Sequence, residues 1–188
     1  MLKSLNELTV RVKYGPHFKT YPSGTARYLK GQHIGEAGEI REGEDSYARL
    51  TEAELAAHRL RPDQVIVVGK GHRNVAWAYR PAVGPVVASS SFYVLTLRPE
   101  AVLPAYCALV LNSASCGRAL KRMAKGTSVP VVPKNELLNL RLPVPPLARQ
   151  AELVALNDLQ RRRRLLHREL AACQQQLDRA VLSTLLYA

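Results

Sequence analysis

The sequence has few of the features that mark membrane, secreted or metal-binding proteins. Only 3 of its 188 residues are cysteine, and Cys107, Cys116 and Cys173 lack metal-ligand spacing. We expect buried free thiols in a reducing compartment and no metal site. No segment approaches the roughly eighteen consecutive apolar residues of a membrane span, and no charged-then-apolar leader opens the chain. The expected location is therefore cytoplasmic, without a membrane segment.

Catalytic motifs are also missing. Gly69-Lys70-Gly71 follows an apolar run, but it lacks the third glycine of a dinucleotide-binding loop and the Ser or Thr of a Walker loop. The serines at 89–91 form no glycine-bounded elbow, and the five histidines pair with no recognisable partner. We therefore expect a binding protein with no catalytic residue and no cofactor of its own.

Acidic residues are scarce, and the net charge of +12 is the first positive indication of function. Residues 1–146 carry 20 basic residues against 11 acidic ones, a net charge of +9. Seven of those acids lie between residues 36 and 54, so the rest of this region is strongly basic. Such a domain suits a polyanion approached from one side. A solvated basic surface is the alternative, notably for the arginines at 161–164.

Hydrophobic periodicity predicts an α+β domain, a small twisted β-sheet with short helices, over residues 1–145. Alternation at 8–13 and 74–79 predicts half-buried strands, and the apolar run 65–68 predicts a buried one. Residues 86–88 and 92–97 are further strand candidates. Thr51 and Glu54 have capping-box spacing, which predicts a helix over 52–59. Residues 104–111 and 116–124 predict two more helices, and residues 35–45 an acidic, glycine-punctuated loop.

The closing stretch predicts one long coiled-coil-type helix over residues 146–188. After Pro146 about forty residues contain no proline or glycine, enough for a rod of roughly 60 Å. An apolar stripe repeats at spacings of three and four, as in a helix that packs on a partner helix. Its members are Leu156, Leu159, Leu166, Leu170, Cys173 and Leu177. The alternative is a terminal helix folded back on its own domain.

Candidate DNA-binding residues come from three turn-rich or basic segments. Cations beside the Gly126-Thr127-Ser128 loop suit phosphate contacts, and His72, Arg73 and Asn74 at a predicted hairpin tip suit base edges. For the aromatic and basic loop 14–27, a merely packed loop is an equal alternative. The full set is Lys13, Tyr14, Lys19, Lys70, His72, Arg73, Asn74, Lys121, Arg122, Lys125, Thr127 and Ser128.

The order of these motifs resembles the specificity (S) subunits of type I restriction-modification systems. The most specific part is the Gly126-Thr127 loop, a leucine-bearing turn at 137–140, and Leu-Pro-Val-Pro-Pro-Leu-Ala-Arg-Gln at 142–150. Weaker matches lie at 15–18, 28–30, 65–71, 89–99 and 106–113, so the resemblance covers nearly the whole chain. Two departures stand out. The chain has one recognition domain and one helix where S subunits usually have two, and Gly15-Pro16-His17-Phe18 replaces the usual Gly-aromatic-Pro-Phe order.

The resemblance implies a half S subunit that is not itself an enzyme. Its target recognition domain would bind double-stranded DNA sequence-specifically, and its helix would set the spacing within a bipartite site, in a homodimer formed through that helix. A methyltransferase (M) subunit carrying S-adenosylmethionine, and possibly a restriction (R) subunit, would be its partners. The alternatives are a non-catalytic scaffold or adaptor that recruits a methyltransferase through its helix, and an orphan DNA- or RNA-binding regulator.

Overall fold

The structure, a computed structural model, describes residues 1–35, 38–41 and 46–187, without the side chains of residues 184, 185 and 187. Most of the predicted acidic loop 35–45 therefore lies outside the described residues. The chain divides into two compact units, Met1–Ala151 and Glu152–Ala188. The strands are β1 Leu2–Ser4, β2 Thr9–Tyr14, β3 Ala26–Leu29, β4 Tyr47–Ala48, β5 Gln64–Val68, β6 Ala76–Ala78, β7 Val86–Ala88, β8 Phe92–Leu97 and β9 Arg141–Pro143. The α-helices are α1 Glu52–His58, α2 Pro104–Leu111, α3 Ala114–Met123, α4 Lys134–Asn139 and α5 Leu147–Tyr187.

The main sheet has four strands in the order β2-β8-β5-β6, and all neighbours are antiparallel. All five residues of β5 are buried, as its uninterrupted apolar run predicts for a strand covered on both faces. Because neighbouring strands alternate in direction, the ends of β2 and β5 lie beside the starts of β8 and β6. We call this end of the sheet the hairpin edge, since the β5–β6 connection lies there.

A second sheet, β4-β3-β7, contributes the other half of the core. Its strand β3 runs parallel to β7, with Leu29 opposite Ala88. Leu29 and Val86 of this sheet pack in one buried cluster with Ile66 and Phe92 of the main sheet. The apolar pattern predicted β7 and the four strands of the main sheet, but the parallel pairing of β3 with β7 joins segments far apart in sequence and follows only from the packing.

Polar side chains define several helix boundaries. The capping box of α1 is present, because the Glu54 N–H donates to Thr51 Oγ1 (3.2 Å) and the Thr51 N–H donates to Glu54 Oε2 (2.9 Å). Helix α3 begins two residues earlier than predicted, since the Cys116 N–H donates to Ser113 Oγ and makes Ser113 its N-cap. The predicted leucine-bearing turn after Pro133 is a six-residue helix, α4.

Asn112, which follows α2, closes the exposed edge of β6. Its Nδ2 donates to the Ala76 carbonyl and its Oδ1 accepts from the Ala76 N–H, both at 2.8 Å. The carboxamide thus forms the pair of hydrogen bonds that a neighbouring strand would form, and an edge strand closed in this way has no free groups at that residue.

A third, two-stranded sheet joins the two ends of the first unit. Strand β1, which the periodicity did not predict, pairs antiparallel with β9, with Lys3 opposite Leu142. The Val144 N–H donates to the Met1 carbonyl (2.8 Å), and the Tyr106 hydroxyl donates to the Pro143 carbonyl (2.9 Å). The proline-rich segment is therefore ordered by contacts with the N-terminus and α2.

Gln150, the last residue of the proline–glutamine segment, holds the first turn of α5 within the first unit. Its side chain is fully buried. Its Oε1 accepts from the Leu103 N–H (2.9 Å), and its Nε2 donates to the carbonyls of Ala101 (3.0 Å) and Pro145 (2.8 Å). A buried carboxamide with three such bonds is fully used in structure, which explains why a glutamine stands at the end of this segment.

Helix α5 is continuous over 41 residues, which confirms the predicted long helix. The leucines of the stripe, Leu156, Leu159, Leu166, Leu170 and Leu177, are each more than half exposed in the single chain. Their packing on a second helix stays a prediction. Cys107 and Cys116 are buried as expected, but the expected burial of Cys173 is wrong, because it lies on the exposed stripe. Among the described helices none is long and apolar enough to cross a membrane.

Replacing the buried carboxamide should destabilise the first unit. We expect Gln150→Ala to lower its free energy of unfolding by about 1–3 kcal/mol, because it leaves buried backbone groups without partners. Urea unfolding followed by fluorescence of the single tryptophan, Trp77, in the core of that unit measures this. Gln175→Ala, the same change at an exposed position of α5, is the control and should have little effect. Equal stabilities of the two variants would contradict the structural role of Gln150.

Thiol reactivity should separate Cys173 from the other two cysteines. Burial raises the pKa of the Cys107 thiol to about 12, with Cys116 adding to the effect, so its reactive thiolate is rare at pH 8. An aromatic disulfide reagent should therefore modify no thiol other than Cys173 rapidly in the folded chain, and all three in urea. Cys173→Ser should abolish any rapid reaction. Rapid modification that persists in this variant would contradict the burial of Cys107 and Cys116.

Candidate nucleic-acid interface

Two segments that the sequence analysis marked separately meet at the hairpin edge. The connection between β5 and β6 carries Lys70 to Asn74, and the loop after α3 carries Lys125 to Ser128. The Gly71 N–H donates to the Pro130 carbonyl (2.8 Å), and the Val132 N–H donates to the Gly69 carbonyl (2.9 Å). These backbone bonds join hairpin and loop into a single surface.

The loop is also closed on itself. Lys125 and Val131 exchange two backbone hydrogen bonds, at 2.9 and 2.8 Å. Gly126 turns the chain just inside this pair with φ of +99°, a conformation that residues with a side chain rarely adopt. On the hairpin side, the N–H groups of Gly69 and Lys70 both donate to the Ser91 carbonyl at the start of β8. Both segments are therefore held to the sheet through their backbones, which leaves most of their side chains for a ligand.

Tyr93 of β8 lies beneath the junction. Its side chain is buried, and its hydroxyl donates to the Val132 carbonyl at 2.6 Å. The ring packs against Tyr14, with 4.9 Å between centroids, and a Cβ at Gly69 would collide with it. Burial raises the pKa of Tyr93, and the hydrogen bond from the Tyr14 hydroxyl raises it further, so the phenol stays a donor across the physiological range.

Most of the predicted DNA-binding residues lie on this surface. The exposed residues of this surface include Lys70, His72, Lys125, Thr127 and Ser128, and Arg73 is partly exposed. Lys121 and Arg122 occupy the exposed last turn of α3, just before the loop. We call the set Lys70, His72, Arg73, Lys121, Arg122, Lys125, Thr127 and Ser128 the hairpin–loop surface. Its cations and hydroxyls are the groups that proteins use to contact phosphate and base edges.

Two members of the predicted set already have partners within the protein. Lys125 Nζ lies 2.6 Å from Glu136 Oε1, in a pair that is exposed enough to exchange for a phosphate. The Asn74 Nδ2 donates to the Val68 carbonyl (3.1 Å) across the hairpin, so part of its amide stabilises the turn itself.

Lys13 and Lys19 have other contacts within the protein. Lys13 precedes Tyr14 on β2, so its side chain points to the opposite face, where Nζ donates to the Ala57 carbonyl of α1 (3.0 Å). Burial lowers the pKa of Lys13, and Arg11 and Arg61 lower it further. Lys19 lies over the ring of Tyr21, 5.7 Å from its centroid.

Arg49 is a surface cation that sequence reasoning missed. Its guanidinium lies 4.5 Å from the centroid of the same Tyr21 ring, so two cations contact one aromatic ring. Tyr21 reaches this place because its backbone pairs with Tyr47 beside β3. The sequence carried no signal for this, since Arg49 lies within the acidic stretch. Tyr93 was missed as well, because the pattern at residues 92–97 indicated only a strand candidate.

Within residues 1–35, 38–41 and 46–187, no group of three or more histidine, cysteine or acidic side chains could hold a metal ion. The arrangement at the hairpin edge is suited to binding an extended anionic ligand.

Comparison with solved structures identifies the fold. No protein-family profile matches the chain, and no curated protein sequence matches it. The S subunit of the type I restriction-modification system from M. genitalium is 15% identical, with a TM-score of 0.60 over 83% of this chain. The HsdS subunit from Thermoanaerobacter tengcongensis is 19% identical, with a TM-score of 0.63 over 94%. A chain from a study of assembly and conformational transition of the type I R-M system is 18% identical, with a TM-score of 0.59 over 95%.

The chain has the fold of half a type I S subunit. It spans 37%, 46% and 43% of those three chains respectively. The predicted α+β class, with small sheets, short helices and one long terminal helix, is confirmed, as is the resemblance to S subunits at the level of fold.

Removing the Tyr93 hydroxyl should loosen the hairpin–loop surface. We expect Tyr93→Phe to lower the free energy of unfolding by about 1–3 kcal/mol, since it removes the buried donor to the Val132 carbonyl. Amide exchange of Gly71 and Val132 should also accelerate. Tyr14→Phe is the control, because its longer 3.4 Å bond is partly exposed and its loss should cost less. Unchanged exchange at both amides in Tyr93→Phe would show that this bond does not hold the loop.

Proposed function

We propose that the chain is the DNA specificity subunit of a type I restriction-modification or related methyltransferase complex, in a half-subunit form. The observation that carries the proposal is the hairpin–loop surface, a set of cations and hydroxyls presented by two backbone-paired segments on an S-subunit fold. The chain is not an enzyme in this proposal; it selects the DNA site, and its partners carry out the chemistry.

The surface divides into groups suited to positioning and groups suited to reading. Lys121, Arg122 and Lys125, with the hydroxyls of Thr127 and Ser128, suit phosphate contacts, which set the register of a protein on duplex DNA. His72 and Arg73 at the hairpin tip suit base edges, where arginine can donate two hydrogen bonds to guanine. Exposure of these side chains on a rigid backbone supports this division.

One chain presents one such surface and therefore one half-site reader. Two copies paired antiparallel through the leucine stripe of α5 would present two readers related by a two-fold axis and would recognise an inverted, bipartite site. The exposure of the stripe leucines supports this homodimer. A methyltransferase subunit that binds S-adenosylmethionine, and possibly a restriction subunit, would complete the complex in the cytoplasm.

Measurements of DNA affinity should distinguish the residues suited to phosphate contacts from those suited to base edges. The probe is the duplex enriched from a random library by the native chain, beside an unrelated duplex of equal length. We expect Arg73→Ala to weaken binding of the enriched duplex by about 1–3 kcal/mol and to relax one base position. Lys121→Ala should weaken the binding of both duplexes and reduce the slope of log K against log salt by about one.

Arg98→Ala is the matched control, since Arg98 is exposed just beyond β8 at the opposite end of the sheet from the hairpin edge. It should change neither sequence preference nor salt slope. If Arg73→Ala bound both duplexes with the native affinity and selectivity, the hairpin tip would not read DNA.

The dimer can be tested through charge placed on the stripe. We expect Leu166→Glu with Leu170→Glu to convert a dimer into a monomer, because four carboxylates would meet in the apolar seam. Light scattering after gel filtration measures the mass. Ala172→Glu with Gln175→Glu adds the same charge on the face of α5 away from the stripe and should leave the dimer intact. A double-leucine variant that remained dimeric would exclude this stripe as the interface.

The same exposed stripe supports a second candidate, a non-catalytic scaffold that recruits a methyltransferase through α5 and binds DNA weakly alone. Co-purification with a methyltransferase subunit, and sequence-specific binding only in that complex, would favour the scaffold. An orphan regulator would instead act without such a partner, and its binding to duplex RNA and duplex DNA at equal salt would show which nucleic acid it uses.

A further inference from the structure

Val129 is an apolar side chain in the middle of the hairpin–loop surface. It lies between Ser128 and Pro130 and is 58% exposed. Single exposed apolar residues are common and need no explanation by themselves. This one differs in its neighbourhood, since the exposed residues around it in the loop and hairpin are cations and hydroxyls.

The backbone on the C-terminal side of Val129 is fixed. Pro130 accepts the hydrogen bond from Gly71, and Val131 is paired with Lys125. Valine itself has few rotamers because its β-carbon is branched. The two methyl groups are therefore held in place, and ordering them against a ligand would cost little conformational entropy.

A rigid pair of methyl groups surrounded by cations matches one feature of duplex DNA. In the major groove, thymine presents a C5-methyl group, and small apolar side chains distinguish thymine by contact with it. Side chains that wedge between base steps are usually larger or cyclic, such as phenylalanine, leucine, isoleucine, methionine or proline. The short branched side chain of Val129 is suited to methyl contact.

We propose that Val129 is a specificity-determining residue that packs against the C5-methyl group of one thymine in the half-site. The inference rests on the proposed function. The cations of the hairpin–loop surface hold the phosphate backbone, Arg73 reads a base edge through hydrogen bonds, and Val129 adds an apolar contact that cytosine, with no methyl group, does not provide.

Thymine-to-uracil substitution tests the contact, since it removes only the methyl group. Each thymine of the enriched duplex is replaced in turn, and Kd is measured by fluorescence anisotropy at fixed salt. We expect one replacement to weaken native binding about three- to fivefold, the effect of leaving one methyl group unburied. Val129→Ala should bind the thymine duplex with a similar loss and show no further loss at that uracil.

Val10→Ala is the matched control, because Val10 is 60% exposed on β2 and lies outside the hairpin–loop surface. It should retain the full thymine-to-uracil effect. Urea unfolding of Val129→Ala, followed through Trp77, should match the native chain, which separates lost contact from lost folding.

The outcomes distinguish this inference from the function on which it rests. If the native chain enriches no duplex, the proposed function and the thymine contact both fail. If it enriches a site but Val129→Ala retains the native uracil sensitivity at every position, only the thymine contact is overturned. The contact is likewise overturned if Val129→Ala keeps native DNA binding and instead loses co-purification with a methyltransferase, because the side chain would then face a protein.

Discussion

One buried hydrogen bond, from the Tyr93 hydroxyl to the Val132 carbonyl, ties the candidate DNA surface to the main sheet. The Tyr93 ring lies under Tyr14 and against Gly69, and its hydroxyl holds the loop whose backbone pairs with the hairpin. A phenol suits this position because its ring packs in an apolar site while its single polar group has a partner. Since backbone and buried side chains supply the support, the exposed side chains can be chosen for recognition.

Gln150 fixes the start of the long helix, as Tyr93 fixes the loop. Three hydrogen bonds from one buried carboxamide tie the first turn of α5 to the segment before α2, and the β1–β9 pair fastens the adjacent proline-rich stretch. The segment that carried most of the resemblance to S subunits is thus fixed by the hydrogen bonds of Gln150 and by the β1–β9 pair, and this structural role explains its glutamine.

Local patterns predicted much of the fold. The capping box at Thr51, the strands β7 and β8, helix α2 and the long α5 depend on residues close in sequence, so periodicity and caps indicated them directly. Strand β1 escaped prediction because Leu2-Lys3-Ser4 contains no apolar run, and its partner β9 lies far away in sequence. Cys173 was expected to be buried because its apolar neighbours form a stripe, and a stripe predicts burial only when a partner covers it.

By itself, the sequence determined the class of fold, the continuous helix with its leucine stripe, and the basic character of the chain, because composition and local periodicity encode these. Only the tertiary structure decided which basic residues form one surface. It paired the hairpin with the loop, turned Lys13 toward α1, engaged Asn74 within the hairpin and placed Val129 among cations. These outcomes depend on hydrogen bonds between segments distant in sequence, and no local pattern contains the partner of such a bond.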